Sequence, residues 1–115
     1  MDLLSKTVII TGGSGGIGRA MGKAFLSEGA KAVILADLQE GPLEKAAKEL
    51  GCDSFVCNVT SEEQIQQLAD YTNEKYGEID LFCSNAGASG AGVLTDATDA
   101  VWQQQWELHV MSHVY

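Results

Sequence analysis

Residues 7–18, with the sequence TVIITGGSGGIG, determine the fold predicted for this 115-residue chain. Residues 7–10 form a short β-branched run, which predicts a buried strand that ends where five glycines begin. Beyond the glycines, apolar residues recur at helical spacing, namely Ile17, Ala20, Met21, Ala24 and Phe25. Gly29 is placed to end that helix. The stretch therefore predicts a strand, a glycine-rich loop and a helix in succession.

The rest of the chain repeats this alternation of strand and helix three times. Residues 32–36 predict a second strand stopped by Asp37, and a helix follows over about 42–50. A third strand is predicted at 54–57, and Thr60 with Glu63 forms a capping box that predicts the start of the third helix. Residues 80–84 predict a fourth strand, and a last helix is expected from about residue 98 onward.

The predicted order βαβαβαβα indicates an α/β fold with one doubly wound domain over residues 1–115. Strands that are apolar along their whole length imply a sheet covered on both faces. Helices that alternate with strands imply parallel pairing through right-handed crossovers. No linker or internal repeat interrupts the pattern.

Composition excludes several classes of partner. Seven Lys and Arg residues against 16 Asp and Glu residues give a net charge of −9, and the basic residues are scattered. This balance argues against nucleic acid and against an anionic membrane surface. There is no basic leader segment and no apolar run of about 18 residues. Three cysteines without C-x-x-C spacing predict reduced thiols, and we expect a cytoplasmic protein.

The glycine-rich loop between the first strand and helix predicts a dinucleotide site. Glycines let a pyrophosphate approach the backbone closely, and the following helix directs free amides and its positive dipole end at the phosphates. Asp37 lies 19 positions after Gly18, where a carboxylate can accept bonds from ribose hydroxyls and would repel a 2′-phosphate. The pattern therefore favours NAD(H) over NADP(H). The alternatives are a tight turn that binds nothing and an ordinary strand-end carboxylate.

Four motifs together resemble the short-chain dehydrogenase/reductase family, in its N-terminal NAD-binding half. They are Thr11-Gly12-x-x-x-Gly16-x-Gly18, Asp37, Asn58-Val59 and Asn85-Ala86-Gly87. The resemblance covers essentially the whole chain. It implies a Rossmann sheet, a nicotinamide dinucleotide cofactor, and an NAD-dependent oxidoreductase that interconverts a small-molecule alcohol and a carbonyl by hydride transfer.

The resemblance also implies roles for individual residues. Gly12, Ser14, Gly16, Ile17 and Gly18 would hold the pyrophosphate side, and Asp37 and Leu38 the adenosine ribose. Asn58 stands where the family usually has an Asp that contacts the adenine amino group, and its amide carbonyl is expected to accept the same bond. Val59 would pack on adenine. Asn85, Ala86 and Gly87 would support the centre of the sheet and line the path to the nicotinamide ribose.

Two departures from the family pattern concern catalysis. The family's catalytic Asn in the fourth helix corresponds to His109, seven residues after Trp102. His109 could replace Asn in a water-mediated proton relay, or it could simply pack. The family's Tyr-x-x-x-Lys is expected beyond residue 115, and Tyr115 has no following Lys. The chain is thus expected to stop before the catalytic segment and to be inactive alone.

The last helix carries apolar residues on two faces, which predicts burial on two sides. One side would meet the sheet. The other would meet a second subunit in a dimer or tetramer, as in this family, or further sequence of the same chain. His109 and His113 are four residues apart, but no third ligand is evident and no metal site is predicted.

Two other functions stay open at this stage. The chain could be a non-catalytic nucleotide-binding or interaction module. It could also be a mononucleotide-binding protein of flavodoxin-like type, whose phosphate loop would not need Asp37.

Overall fold

The computed structural model describes residues 1–90 and 92–115, which form four strands and a matching series of helices. Each predicted strand and helix is present, with boundaries that differ by a few residues. The elements are β1 (Thr7–Thr11), α1 (Gly16–Ser27), β2 (Ala32–Asp37), α2 (Glu40–Leu50), β3 (Asp53–Val56), α3 (Glu62–Tyr76), β4 (Leu81–Cys83), a 3₁₀ turn (Leu94–Asp96) and α4 (Asp99–Trp106). A π-helical segment (Glu107–Met111) and the short α5 (Ser112–Val114) continue from α4.

The four strands form one parallel sheet in the order β3-β2-β1-β4. The chain first moves from β1 outward to β3 and then returns past β1 to place β4 on its other side. The ends of β1 and β4 therefore flank the point where the direction of winding reverses. In open α/β sheets this switch point, at the carboxyl ends of the strands, is where ligands bind.

The core lies on both faces of the sheet, as the uniformly apolar strands predict. On one face of the sheet, Val8 and Ile10 of β1 pack with buried apolar residues of α2. On the other face, Ile9 packs in the cluster that includes Leu68 of α3. All three side chains are fully buried. This alternation follows from the two-residue period of a strand, which sends successive side chains to opposite faces.

Glycines end the first two helices, at Gly29 as predicted and at Gly51. Gly29 follows α1 with φ +86°, and the amide of Ala30 bonds the carbonyl of Phe25 across the end of the helix. Gly51 follows α2 in the left-handed conformation, with φ +70°. Left-handed residues at this position return the last carbonyls of a helix to hydrogen bonds, and glycine adopts that conformation without a Cβ penalty.

The predicted capping box at Thr60 and Glu63 is wrong by one residue. Ser61 is the N-cap of α3, and its hydroxyl accepts a hydrogen bond from the amide of Gln64. The Thr60 hydroxyl instead donates to the side chain of Asn58 at 2.7 Å. The helix begins at Glu62, so Ser61 and not Thr60 is the residue directly before it and occupies the N-cap position.

The last helix is not uniformly α-helical. Residues Glu107–Met111 adopt π-helical hydrogen bonding, which inserts one extra residue into a turn. Trp102, Trp106 and Val110 remain exposed at 51%, 53% and 37%. Ser112 is buried and its hydroxyl donates to the carbonyl of Leu108. The side of the helix that carries the tryptophans therefore has no cover among the described residues.

Within the described residues, no helix combines the length and the apolar character that crossing a membrane requires.

Candidate dinucleotide site

A cleft of about 480 Å³ lies at the carboxyl ends of the strands, above the switch point between β1 and β4. The twelve residues predicted to contact a cofactor all line it: Gly12, Ser14, Gly16, Ile17, Gly18, Asp37, Leu38, Asn58, Val59, Asn85, Ala86 and Gly87. They come from four separate loops of the sequence. The structure brings them to one place because parallel strands end at the same edge of the sheet. What they bind stays a prediction.

The glycine-rich loop forms one wall of this cleft and is closely packed against itself. A Cβ on Gly18 would lie 2.3 Å from the carbonyl oxygen of Gly12, and a Cβ on Gly12 would lie 2.9 Å from Cα of Ala86. By contrast, a Cβ on Gly16 would meet nothing within 4 Å. Gly18 is thus required by the turn itself and Gly12 by the close approach of the loop after β4, whereas Gly16 lines the cleft and has open space where a Cβ would lie.

The N-terminus of α1 faces the same cleft without a side-chain cap. Its N-cap residue is Gly15, and no acidic residue lies in the first turn. The first amides of a helix have no partner within the helix, and together with the helix dipole they attract an anion. Because no side chain among the described residues caps these amides, they are available to a phosphate group.

Asp37 closes the other side of the glycine loop. One carboxylate oxygen accepts hydrogen bonds from the amide and the hydroxyl of Ser14, at 3.1 and 2.5 Å. The second oxygen accepts from the amide of Leu38 at 2.8 Å. Ser14 therefore contacts Asp37 and fixes its carboxylate at the end of β2. The second oxygen keeps lone pairs for a further donor from the cleft.

Asn58 occupies the turn after β3 and is held by three neighbours. Its side-chain oxygen accepts hydrogen bonds from the backbone amide and the hydroxyl of Thr60. Its backbone amide donates to the side chain of Gln64, and its backbone carbonyl accepts from the amide of Ser61. The sequence prediction gave this side-chain oxygen to the adenine amino group. In the structure the oxygen already has two protein donors.

Asn85 and Thr11 join β1 to the loop after β4. The Asn85 side-chain amide donates to the carbonyl of Thr11 at 3.1 Å. The buried Thr11 hydroxyl accepts from the amides of Asn85 and Ala86, at 3.0 and 3.1 Å. Sequence reasoning gave Thr11 no role. The role of Thr11 could have been recognised from its hydroxyl at the end of an apolar strand, because the backbone groups of a neighbouring loop need a hydrogen-bond partner there.

His109 lies behind the loop 85–88 and is not among the residues that line the cleft. Its Nε2 is 2.7 Å from the carbonyl oxygen of Ala88. A Cβ on Gly87 would lie 3.1 Å from the Cε1 atom of the ring, so Gly87 allows this approach. His113 has a separate partner, since its Nδ1 is 2.5 Å from the Ser84 hydroxyl. The two imidazoles thus do not converge on one point.

Within the described residues, no three His, Cys, Asp or Glu side chains are grouped closely enough to hold a metal ion.

A Tyr-x-x-x-Lys sequence does occur in this chain, at Tyr71 and Lys75 of α3, and the prediction overlooked it. The Lys75 ammonium donates to the Tyr71 hydroxyl at 3.1 Å, and both groups donate to the carboxylate of Asp53. Asp53 is the first residue of β3, so this pair lies at the amino edge of the sheet. About 13 Å of strand separates that edge from the cleft.

The Asp53 cluster is a closed ion pair with two tyrosines. Burial alone would raise the pKa of Asp53, but hydrogen bonds from Tyr71, Tyr76 and Lys75 outweigh it and hold the pKa at about 2. The hydrogen bonds to Tyr71 and Asp53 raise the pKa of Lys75. A Lys that stays protonated beside a permanent carboxylate ties α3 to β3, which is a structural task.

Comparison with known proteins agrees with the geometry. A family model described as short chain dehydrogenase matches residues 6–115. Zerumbone synthase of Zingiber zerumbet is 38% identical over 104 residues, which are 87% of this chain and 38% of that protein. (+)-Borneol dehydrogenase 2 of Salvia officinalis is 37% identical over 94 residues, which are 78% of this chain and 33% of that protein.

Solved structures share the same arrangement. L-sorbose reductase from Gluconobacter frateurii, complexed with NADPH and L-sorbose, has a TM-score of 0.86 at 33% identity and covers 99% of this chain. A short chain dehydrogenase/reductase from Burkholderia phymatum, in complex with NAD, has a TM-score of 0.92 at 29% identity and also covers 99%. This chain covers 46% and 42% of those two chains, respectively.

The parallel sheet, its crossover helices and the cleft at the switch point define a Rossmann-type α/β protein. The family match over residues 6–115 is more specific, and the chain belongs to the short chain dehydrogenases, a family of oxidoreductases. It spans between about a third and two fifths of the length of the curated relatives that it matches.

Proposed function

We propose that this chain binds a nicotinamide dinucleotide in the cleft above β1 and β4, as the cofactor-binding part of a short chain dehydrogenase. The observation that carries the proposal is the convergence of the twelve predicted residues on one cleft beside an uncapped helix N-terminus. The volume of the cleft, about 480 Å³, lies in the usual range of cofactor sites. The resemblance implied such a cofactor, and the open space at Gly16 fits a phosphate close to the backbone.

Within this proposal, the glycine loop and the first amides of α1 hold the pyrophosphate. Asp37 accepts hydrogen bonds from the hydroxyls of the adenosine ribose through its second carboxylate oxygen, while Ser14 keeps the first oxygen in place. Thr11 and Asn85 keep the loop after β4 in position for the nicotinamide end.

The charges around Asp37 favour NAD(H) over NADP(H). Among the described residues that line the cleft, Asp37 is the one that is charged, and a 2′-phosphate beside it would meet repulsion without compensation. Arg19 lies one turn into α1, but its guanidinium pairs with Glu49 of α2. The NADPH-bound Gluconobacter relative shows that the family includes members with the phosphorylated cofactor. The preference here therefore depends on Asp37.

We further propose that the complete enzyme interconverts an alcohol and a carbonyl. The nicotinamide, when bound, supplies or accepts a hydride, and the protein must place a proton donor or acceptor at the substrate oxygen. Tyr71 and Lys75 cannot serve there, because they lie at the opposite edge of the sheet and are bonded to Asp53. We therefore expect residues 1–115 alone to bind cofactor without turning over an alcohol.

His109 keeps both of its predicted roles open within the proposal. The hydrogen bond to Ala88 and the contact with Gly87 favour the packing role, in which the ring supports the loop that borders the nicotinamide end. In a proton relay the other ring nitrogen would have to connect through water to the substrate. Replacement by Asn would preserve a relay, whereas replacement by Phe would remove it and keep a ring.

Assembly and location belong to the same proposal. Two exposed tryptophans on one side of α4, Trp102 and Trp106, fit an interface with a second copy of the chain, in a dimer or tetramer. We also propose a cytoplasmic location, which the reduced cysteines support, since Cys52, Cys57 and Cys83 are all free thiols. The substrate would be a small-molecule alcohol or ketone.

Calorimetric titration of the purified protein with NADH tests the proposal. We expect saturable binding that Asp37→Ala weakens about tenfold, because the ribose hydroxyls lose their acceptor. Glu44→Ala removes the same charge from the exposed side of α2 and is the matched control, with binding unchanged. No heat with NADH, together with no shift in the melting temperature, would exclude a nicotinamide site.

A non-catalytic binding module is the second candidate, and the position of Tyr71 and Lys75 favours it for the isolated chain. The gene that encodes this sequence distinguishes the two. A Tyr-x-x-x-Lys downstream of residue 115 would support the enzyme, and an open reading frame that ends at residue 115 would support the binding module.

A further inference from the structure

The segment 84–88, which follows β4, is bonded at both of its ends to histidines of the last helix. The hydroxyl of Ser84 shares a hydrogen bond with Nδ1 of His113 at 2.5 Å. The carbonyl oxygen of Ala88 accepts from Nε2 of His109 at 2.7 Å, since a carbonyl can only accept. The partners are four residues apart in both segments and pair in opposite order, so the helix holds the segment by an antiparallel pair of contacts.

The residues between these two contacts form part of the wall of the cleft. Asn85, Ala86 and Gly87 line the cleft together with Ala88. The Thr11 hydroxyl at the end of β1 accepts hydrogen bonds from the amides of Asn85 and Ala86. The strand β1 therefore holds the middle of the segment, and the last helix holds its two ends.

Ser84 and His113 themselves lie outside the cleft. They line a separate cavity of about 270 Å³, whose apolar wall includes Ile65 of α3 and Phe82 of β4. Among the described residues, neither side chain has a second hydrogen-bond partner. A molecule bound in the cleft would not contact this pair, so the pair can affect it only through the segment that Ser84 begins.

The π-helical segment Glu107–Met111 determines the direction of His113. It contains His109, and its one extra residue rotates the helix that follows by about 100° relative to a continuous α-helix. On a continuous α-helix, residues four apart lie one above the other on the same face. The rotation separates the two imidazoles, and each meets its own partner in the segment 84–88.

We propose that Ser84 and His113 are positioning residues of the cleft, whose hydrogen bond keeps the segment 85–88 in the shape that binds the dinucleotide. The inference rests on the dinucleotide site proposed above. A loop that is already held in its bound shape loses less conformational freedom when a ligand binds, and this raises the affinity. The pair thereby couples cofactor affinity to the last helix without touching the cofactor.

The strand order predicts which part of a ligand depends on this pair. In the order β3-β2-β1-β4, the residues that follow β2 and the segment 85–88 lie at opposite ends of the cleft. The adenosine half is proposed to lie beside Asp37, which ends β2. ADP, which reaches only as far as the pyrophosphate, should therefore bind independently of the pair, whereas NADH should depend on it.

Calorimetric titration of the purified protein with NADH, and with ADP in competition against NADH, tests this inference. The quantity of interest is the NADH dissociation constant divided by the ADP constant. In Ser84→Ala and in His113→Phe we expect this ratio to rise about fivefold, which corresponds to one net hydrogen bond. The double variant should show the same rise as either single variant, because both changes remove one bond. His113→Asn, whose amide can bond the Ser84 hydroxyl, should restore the natural ratio.

Gln103→Ala is the matched control, because it removes a side-chain hydrogen bond to Glu107 within the last helix that does not reach the segment 84–88. Its ratio should equal that of the natural protein. A purely structural pair would lower the melting temperature of Ser84→Ala and leave the ratio unchanged, which would overturn the inference and leave the dinucleotide site intact.

Two further outcomes are decisive. Additive effects in the double variant would show that Ser84 and His113 act separately, and would also overturn the inference. If His113→Phe fails to fold, Ser84→Ala still decides, because it removes a single exposed oxygen. A natural protein that binds neither NADH nor ADP would overturn the dinucleotide site and this inference together.

Discussion

Of the glycine-to-alanine substitutions, Gly18→Ala is expected to lower the stability of the fold the most, because its Cβ would have the shortest contact. Gly18 is buried in the first turn of α1, and the new Cβ would lie 2.3 Å from the carbonyl oxygen of Gly12. It would also lie 2.9 Å from Cα of Gly13. Both neighbours are backbone atoms, so no side-chain rotation can relieve the contact.

The size of the effect follows from these distances. Real Cβ atoms do not approach below 3.0 Å, so the loop must open by about 0.7 Å (3.0 − 2.3) at Gly12. Overpacking of this kind costs typically about 1–3 kcal/mol, and the backbone location favours the upper half of that range. We expect about 2 kcal/mol of lost stability and a urea midpoint lower by about 1 M.

Gly16→Ala is the matched control in the same loop. Its Cβ would meet nothing within 4 Å, and alanine stabilises a helix relative to glycine. We expect unfolding stability that is equal to the natural protein or higher by about 0.5 kcal/mol. Because Gly16 lines the cleft where we propose that the pyrophosphate lies, the new methyl group should weaken NADH binding about tenfold through steric exclusion.

Urea unfolding followed by far-ultraviolet circular dichroism measures the first quantity, and calorimetric titration with NADH measures the second. Gly18→Ala should lose stability, and Gly16→Ala should lose binding while it keeps stability. A Gly18→Ala protein as stable as the natural one would refute the argument that this turn needs glycine for its own geometry. Unchanged NADH binding in Gly16→Ala would refute the placement of the pyrophosphate.

Three further predictions concern charge, pH and assembly. Asp37→Asn should reduce the discrimination between NADH and NADPH at least tenfold, measured by calorimetry, since the repulsion of the 2′-phosphate is removed. The folded state holds the pKa of Asp53 at about 2, below its ordinary value of 3.8, so its contribution to stability is present above about pH 4 and is lost as pH falls toward 2. The unfolding free energy of the natural protein minus that of Asp53→Asn should therefore shrink between pH 5 and pH 3, and a constant difference would contradict the ion pair. Replacing Trp102 and Trp106 by Gln should shift an oligomer toward monomer in light scattering, with the melting temperature of the monomer unchanged because both side chains are already half exposed.

The sheet and the location of the cleft could be predicted from the sequence, because both depend on the spacing of apolar residues and on the order of strands and helices. Residues 8–10 and 32–36 are apolar without interruption, and this pattern has one common explanation, a strand covered on both faces. A helix after each strand leaves parallel pairing as the simplest connection. Once the strands are parallel, the residues that follow them must meet at one edge, which is why twelve residues from distant loops line one cleft.

The hydrogen bonds inside the site could not be predicted in the same way. Ser14 was expected to face a phosphate, but its amide and hydroxyl bond Asp37 across the loop. Thr60 was expected to cap α3, but it bonds Asn58. Both are short polar side chains with several acceptors within reach, and the choice among those acceptors depends on backbone angles that no sequence pattern specifies.

Tyr71 and Lys75, which the sequence analysis did not single out, have a spacing that suggests chemistry and a position that excludes it. A tyrosine and a lysine four residues apart on a helix lie on the same face, and here they do form a hydrogen bond. The strand order then places them at the amino edge of the sheet, beside Asp53. A motif defines a local geometry, and only the topology determines whether that geometry meets a substrate. The same reasoning applies to Asn58, where the identity of the residue suggested an acceptor for the cofactor, whereas the turn around it already supplies two donors from Thr60 to that oxygen.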